Sequence, residues 1–253
     1  MTDHPTTVSQ SQPEKTVGDI VAEDYRAATV FERHGIDFCC GGDRTLPQAC
    51  DEAGVAVQTV LDDLQNLDDL VPPTEAGVER YNDWSPDFLA DYISNQHHTY
   101  VKAALPRVEA LAQKVAEAHG TDHPETREIA ALWPELRGEM ARHTQKEELL
   151  LFPYVRQLVR AERAGDSVAP PEFGSARALI DEMEAEHDGT GDRLGRIQAL
   201  SDGFAAPADA CASYRALYEE LRAFDADTKK HIHLENQILF PKTIRLEERL
   251  LAA

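Results

Sequence analysis

Two stretches of this chain place an imidazole four residues before a carboxylate: His143-Thr144-Gln145-Lys146-Glu147 and His231-Ile232-His233-Leu234-Glu235. On a helix, residues i and i+4 share a face and lie about 6 Å apart along the axis, so each pair projects the same way. The match continues downstream, because Leu151-Phe152-Pro153 and Leu239-Phe240-Pro241 stand at identical offsets from their histidines. It also extends upstream: His98 precedes His143 by 45 residues and His187 precedes His231 by 44. The region reads as two helix pairs, each with a lone histidine on its first helix and a His-x3-Glu on its second. Four imidazoles and two carboxylates are the donor set of a carboxylate-bridged metal pair inside a helical bundle, and imidazole with carboxylate suits iron. A single His-x3-Glu would be an ordinary solvated pair. The duplicated apolar tails, read as core packing, place the polar residues near an interior, where a carboxylate requires a partner cation.

A second group with chemical capacity is Cys39-Cys40, followed by Gly41 and Gly42. Neighbouring Cα atoms are about 3.8 Å apart, too close for an unstrained disulfide, so these thiols are read as reactive groups or soft metal ligands. Arg33 and Arg44 flank the pair and favour thiolate, while Asp37 and Asp43 oppose it. Cys50 and Cys211 fit helix positions and are expected to be inert core residues.

The elements that must carry these residues are helical. Ala, Leu, Glu, Arg and Asp are abundant, aromatic residues make up 7% and strand-forming runs are almost absent, so an all-α fold is expected. Residues 1–15 are expected to be disordered. A small helical domain carrying the Cys-Cys motif spans 16–71, with helices over Val17–His34, Pro47–Gly54 and Val57–Asp69. Thr16 is its N-cap and Gly35 the stop of its first helix. A linker covers 72–83 from Pro72-Pro73. An up-down four-helix bundle fills 84–251, with helices near Ser85–His119, Pro124–Ala164, Ser175–Leu200 and Ala208–Leu251. Pro106, Pro134, Pro153 and Pro241 lie inside these patterns and predict kinks or breaks.

Net charge and hydropathy exclude several classes. With 46 acidic against 25 basic residues the formal charge is −21, which repels nucleic acid and anionic membrane. No stretch approaches the roughly 18 apolar residues of a membrane span, and the first residues carry no apolar leader, so the expected compartment is the cytoplasm.

His98, His143, Glu147, His187, His231 and Glu235, with both Leu-Phe-Pro tails, resemble the hemerythrin-like domain of the RIC family (repair of iron centres, also called YtfE/ScdA/DnrN). Asp37-Phe38-Cys39-Cys40-Gly41-Gly42 resembles the signature of that family's N-terminal domain. The resemblance covers about residues 16–248. It favours His98 over His97, because the family places its first ligand eight residues before a Leu-Pro step, here Leu105-Pro106. His97 is then read as supporting or exposed, and His233, on another face, as no ligand. His4, His34, His119 and His123 are read as structural or exposed. Glu186 matches an acidic family position, and Glu139 lies one turn before His143. Both are candidates for lining a channel or supporting the ligands.

The resemblance implies two non-haem iron ions, bridged by carboxylate and by oxo or hydroxo. Each would have four protein donors, the bridge as a fifth and one open position. It further implies restoration of iron-sulfur clusters damaged by nitrosative or oxidative stress, with damaged iron-sulfur proteins as clients. Nitric oxide and oxygen are the expected small ligands, and the reading is compatible with a homodimer. Three functions follow: iron donation to damaged clusters; nitric oxide reduction at the di-iron site, with Cys39 and Cys40 in redox or delivery; and an oxygen- or nitric-oxide-binding or sensing module. The Cys-Cys motif favours the first two.

Overall fold

A computed structural model describes residues 15–73 and 80–252. Apart from Lys15, the N-terminal segment expected to be disordered falls outside the described residues, as does part of the expected linker. The chain divides into two compact units, Met1–Trp84 together with His233–Ile238, and Ser85–Ile232 together with Leu239–Ala253. Among the described residues there is no strand, only an isolated bridge between Thr16 and Thr45, and the fold is all-α. Among the same residues no helix is long and apolar enough to cross a membrane.

The first unit holds α1 (Val17–Glu23), α2 (Ala27–Arg33), α3 (Leu46–Ala53), α4 (Val57–Gln65) and α5 (Leu67–Leu70). Thr16 caps α1 as expected, its side chain accepting the Asp19 amide at 3.1 Å. The single helix expected over 17–34 is instead broken at Asp24. Its carboxylate accepts the backbone N–H of Arg26 at 3.0 Å and binds the Arg26 guanidinium, which offers the backbone an alternative to the helix. Arg26 then reaches the Val71 carbonyl and Asp68, both at 2.8 Å, fixing α5 and its C-terminal end. Gly35 (φ +67°) ends α2 as read from the sequence. Val17, Val21, Phe31, Phe38, Leu46, Cys50, Val60 and Tyr81 form the buried interior.

The second unit is built on four helical rods. The first is α6 (Pro86–Ile93) continuing into α7 (Thr99–His119). The second is α8 (Glu125–Lys146) continuing into α9 (Phe152–Ala164). The third is α10 (Ala176–Leu200), and the fourth runs through α11 (Ala212–His233) and α12 (Phe240–Leu251). Pro86 follows the N-cap Ser85 at the first helical position, where its missing N–H costs nothing. Ser175 caps α10 by accepting the Ala178 amide. α7 packs on α8, α8 on α10, α10 on α12 and α12 on α9. Val108, Ile129, Trp133, Leu136, Ile197, Tyr214, Leu221 and Phe224 fill one end of the bundle, with Trp133 and Phe224 in an edge-on contact at 5.0 Å.

The proline expectations divide. Pro106 and Pro134 lie within unbroken helices, each long enough to lose one amide hydrogen bond. Pro153 and Pro241 each follow a wide π-helical turn, Glu147–Leu151 and Leu234–Leu239. A proline ring crowds the carbonyl four residues before it, here that of Leu149 or Gln237, and both lie inside those turns.

Candidate metal centre

Three π-helical turns interrupt the rods: Ser94–His98, Glu147–Leu151 and Leu234–Leu239. Each contains one expected ligand, His98, Glu147 or Glu235. Such turns re-aim side chains within a helix and recur at functional sites. His143 and His231 sit four residues before their carboxylates, and His187 projects from the unbroken α10.

The six residues come together in two groups. His98, Glu147, His231 and Glu235 form one, and His143, Glu147, His187 and Glu235 the other, with ligand atoms within 4.8 Å of one another in each. Both carboxylates belong to both groups. Glu147 shows how: Oε2 lies 3.2 Å from His98 Nε2, and Oε1 lies 3.4 Å from His143 Nε2. His187 Nε2 and His143 Nε2 converge to 3.0 Å. The grouping crosses the sequence duplication, since each group takes one imidazole from each helix pair.

All six side chains are buried, and Glu147 and Glu235 have no exposed surface. Two carboxylates enclosed among imidazoles are costly unless cations balance them, and the donor chemistry suits a divalent ion in each group. Burial holds His231 well below the usual histidine range, in the neutral form that ligates metal.

Two of the imidazoles are oriented from behind. His143 Nδ1 donates to Glu186 Oε2 at 2.9 Å, and Glu186 is held by Lys146 at 2.7 Å. His98 Nδ1 donates to Glu148 Oε1 at 2.8 Å, and Glu148 is held by Lys102 at 2.6 Å. With Nδ1 donating, Nε2 carries the lone pair turned inward, the tautomer ligation needs. The hydrogen bond from His143 holds the Glu186 carboxyl at about 2 against burial, with Lys146 adding to it. Burial alone would raise Glu148; Lys102 and His98 outweigh it and keep this carboxyl low. Glu148 was not foreseen from the sequence. Its signal was Lys102, one turn after His98, but the second repeat has Asn236 at the matching position.

The tails do more than fill the core. Phe152 stacks on His98 at 5.5 Å and Phe240 on His187 at 5.8 Å, each phenyl against the lone histidine of its own helix pair. His97, adjacent to His98, is buried, stacks on His231 at 5.5 Å and is held through Nδ1 by Asp227 at 2.9 Å. Glu139 lies outside both groups and pairs with Arg193 at 2.8 Å. His233 is in neither group; within the first unit it is buried against Tyr25 and Phe38.

The thiols depart from expectation in two respects. Cys39 is buried and Cys40 half-buried, and neither is in a disulfide. Arg33 and Arg44 are engaged by carboxylates, Arg33 with Asp63 and Arg44 with Glu52 and Asp37. The Cys40 thiol beside it, and burial, push the Cys39 thiol well up. Cys50 is fully buried as expected, whereas Cys211 is exposed rather than in the core. It sits just before α11, 3.2 Å from His119 Nε2, and the Tyr214 amide and His119 lower its pKa.

A bundle with two buried His/Glu groups sharing two carboxylates defines a metal-binding helical protein of the hemerythrin class. Residues 90–243 match the hemerythrin HHE cation binding domain, and residues 13–68 match ScdA_N, a domain described as of unknown function. The chain is 32% identical over 236 residues to the iron-sulfur cluster repair protein YtfE of Musicola paradisiaca, covering 92% of this chain and 98% of the relative. It is 30% identical, over the same shares of each chain, to proteins of that name in Yersinia pestis and Yersinia pseudotuberculosis. The chain belongs to the YtfE family, an ScdA-type N-terminal domain followed by a hemerythrin cation-binding domain.

Proposed function

We propose that the chain is a di-iron protein that repairs iron-sulfur clusters damaged by nitrosative or oxidative stress by donating iron to them. The observation that carries this reading is the sharing of Glu147 and Glu235 between two four-residue groups, a donor set for two ions side by side. The names of the YtfE relatives support the choice of clusters as clients. His98 and His231 would hold one iron, and His143 and His187 the other. Glu147 and Glu235 would span both, with an oxo or hydroxo bridge completing the pair. Glu148 and Glu186 fix the imidazole tautomers, and Phe152 and Phe240 fix two ring planes. Held in this way, the iron pair supplies a reducible centre open to a small diatomic molecule and a reserve of metal for a depleted cluster.

The test is recovery of a nitric-oxide-damaged iron-sulfur enzyme under anaerobic conditions, with iron-loaded protein as the only iron source. Recovery matched by loss of iron from the bundle is the expected result. No recovery, together with catalytic release of nitrous oxide from added nitric oxide, would replace donation with nitric oxide reduction. Tight, reversible gas binding with neither outcome would leave a sensing module.

A further inference from the structure

We propose that Asp37, Cys39 and Cys40 form a second metal site, mononuclear, in the first unit, which takes a thiophilic divalent ion such as ferrous iron, zinc or cobalt. The inference stands on the geometry of this unit and is independent of the repair reading.

One carboxylate oxygen of Asp37 and the two sulfurs lie within 4.8 Å of one another. The sulfurs are 3.9 Å apart. Two thiolates about 2.3 Å from one tetrahedral ion stand about 3.8 Å apart, whereas a disulfide needs about 2.05 Å. The pair therefore has the spacing of two ligands on one ion.

The loop around them is fixed. Asp37 Oδ1 accepts the amides of Cys39 at 3.0 Å and Cys40 at 3.1 Å, and Oδ2 accepts that of Gly41 at 2.9 Å. Arg44 approaches Oδ2 at 3.6 Å, which leaves Oδ1 on the sulfur side, 3.3 Å from Cys39 Sγ. Phe38 is buried, and a Cβ on Gly42 would lie 2.6 Å from the Phe38 carbonyl oxygen, so this close turn admits only glycine. Asn236, in the same unit, donates to the Cys39 carbonyl at 3.4 Å.

The charge balance agrees. Cys39 is buried beside a second thiol and a carboxylate, which disfavours a free thiolate. A divalent cation supplies the missing positive charge. Binding replaces two S–H bonds by two S–metal bonds and releases two protons to solvent, with no change of oxidation state. Two thiolates and one carboxylate select a borderline or soft ion over magnesium or calcium. Three protein donors leave one position of a tetrahedron for an incoming ligand. Cys40 is half-buried and Asp37 exposed, so that position faces outward, as exchange with a partner requires.

Cobalt titration of the reduced, full-length protein tests the site. The two His/Glu groups of the bundle offer only nitrogen and oxygen donors, so a thiolate-to-cobalt charge-transfer band reports ligation by a cysteine. The expected band saturates at one ion per chain, survives a Cys50→Ser/Cys211→Ser double substitution, and is lost in Cys39→Ser/Cys40→Ser. No such band in the unaltered protein, or a band that persists in Cys39→Ser/Cys40→Ser, would overturn the proposal. Zinc protection needs no variant: zinc should slow alkylation of Cys39 and Cys40, read by peptide mass, and unchanged labelling would also overturn it. Neither readout depends on cluster repair, so the two readings fail separately.

Discussion

Phe240 lies parallel to the imidazole of His187, with ring planes 1° apart and centroids at 5.8 Å, and Phe152 meets His98 in the same way, 17° from parallel. Packing contacts of this kind set the plane of an imidazole ring whatever it goes on to bind. Aromatic pairs contribute about 0.5–1.5 kcal/mol beyond the area they bury. Phe152→Leu and Phe240→Leu should each destabilise the bundle by about 1–3 kcal/mol and weaken metal binding in a chelator competition. Unchanged affinity in both variants would reduce the phenyl groups to filler.

Removing a shared carboxylate should differ from removing an imidazole. Glu147→Gln or Glu235→Gln should lower occupancy of both ions together, because each carboxylate belongs to both groups. His98→Ala or His187→Ala should weaken one ion first. Metal analysis at limiting iron distinguishes the two patterns, and one-ion loss in Glu147→Gln would contradict the bridge.

The carboxylates behind the imidazoles should tune affinity without deciding it. Glu186→Ala and Glu148→Ala release His143 and His98 from their Nδ1 partners. Each should cost about 10–100-fold in metal affinity, the usual effect of such supporting groups. Retention of full affinity in both would remove that role.

The exposed thiol and the buried one should titrate on opposite sides of the ordinary cysteine range. Cys211 accepts the Tyr214 amide and neighbours His119, which favour thiolate, so its alkylation should plateau at a lower pH than that of a free thiol. Cys39 is shifted upward, so its labelling should keep rising into the alkaline range. Alkylation against pH, followed by peptide mass, checks both. His119→Ala should move the Cys211 plateau upward.

Glu247 is a structural carboxylate. It is buried, accepts the Tyr154 hydroxyl at 2.9 Å and accepts the first amide of α10, at Ala176, at 3.0 Å. Glu247→Ala should destabilise the second unit by about 2–3 kcal/mol, since two buried donors lose their acceptor, whereas Glu247→Gln should cost less. Chemical denaturation at fixed metal content measures both.

What could be read from the sequence follows what a helix makes periodic. The duplicated His-x3-Glu, the lone histidines and the ends at Ser85, Gly35 and Ser175 are local patterns, so the helical class and the six clustered residues were visible. Side-chain competition with the backbone was not: Asp24 splits the first helix through one amide acceptance. Pairings between distant helices were also hidden. Glu148 reaches back 50 residues to His98, and Asp227 lies 130 residues from His97, separations on which no periodicity bears. Cys211 was misplaced because the last long helix starts at Ala212, after the thiol, not near Ala208. The crossing of histidines between repeats needed the packed bundle, because either assignment satisfies the spacing.

That crossing binds the two helix pairs into one donor set. Each group takes one imidazole from the first helix pair and one from the second, and each pair supplies one of the two carboxylates. A lone hairpin therefore lacks a complete set for either ion, while two identical hairpins meeting about a twofold axis would complete both at once. The centre lies where the two helix pairs meet, and an ion seated there would fasten one half of the bundle to the other. Chelating such an ion should therefore do more than vacate a pocket: it should loosen the two helix pairs from one another.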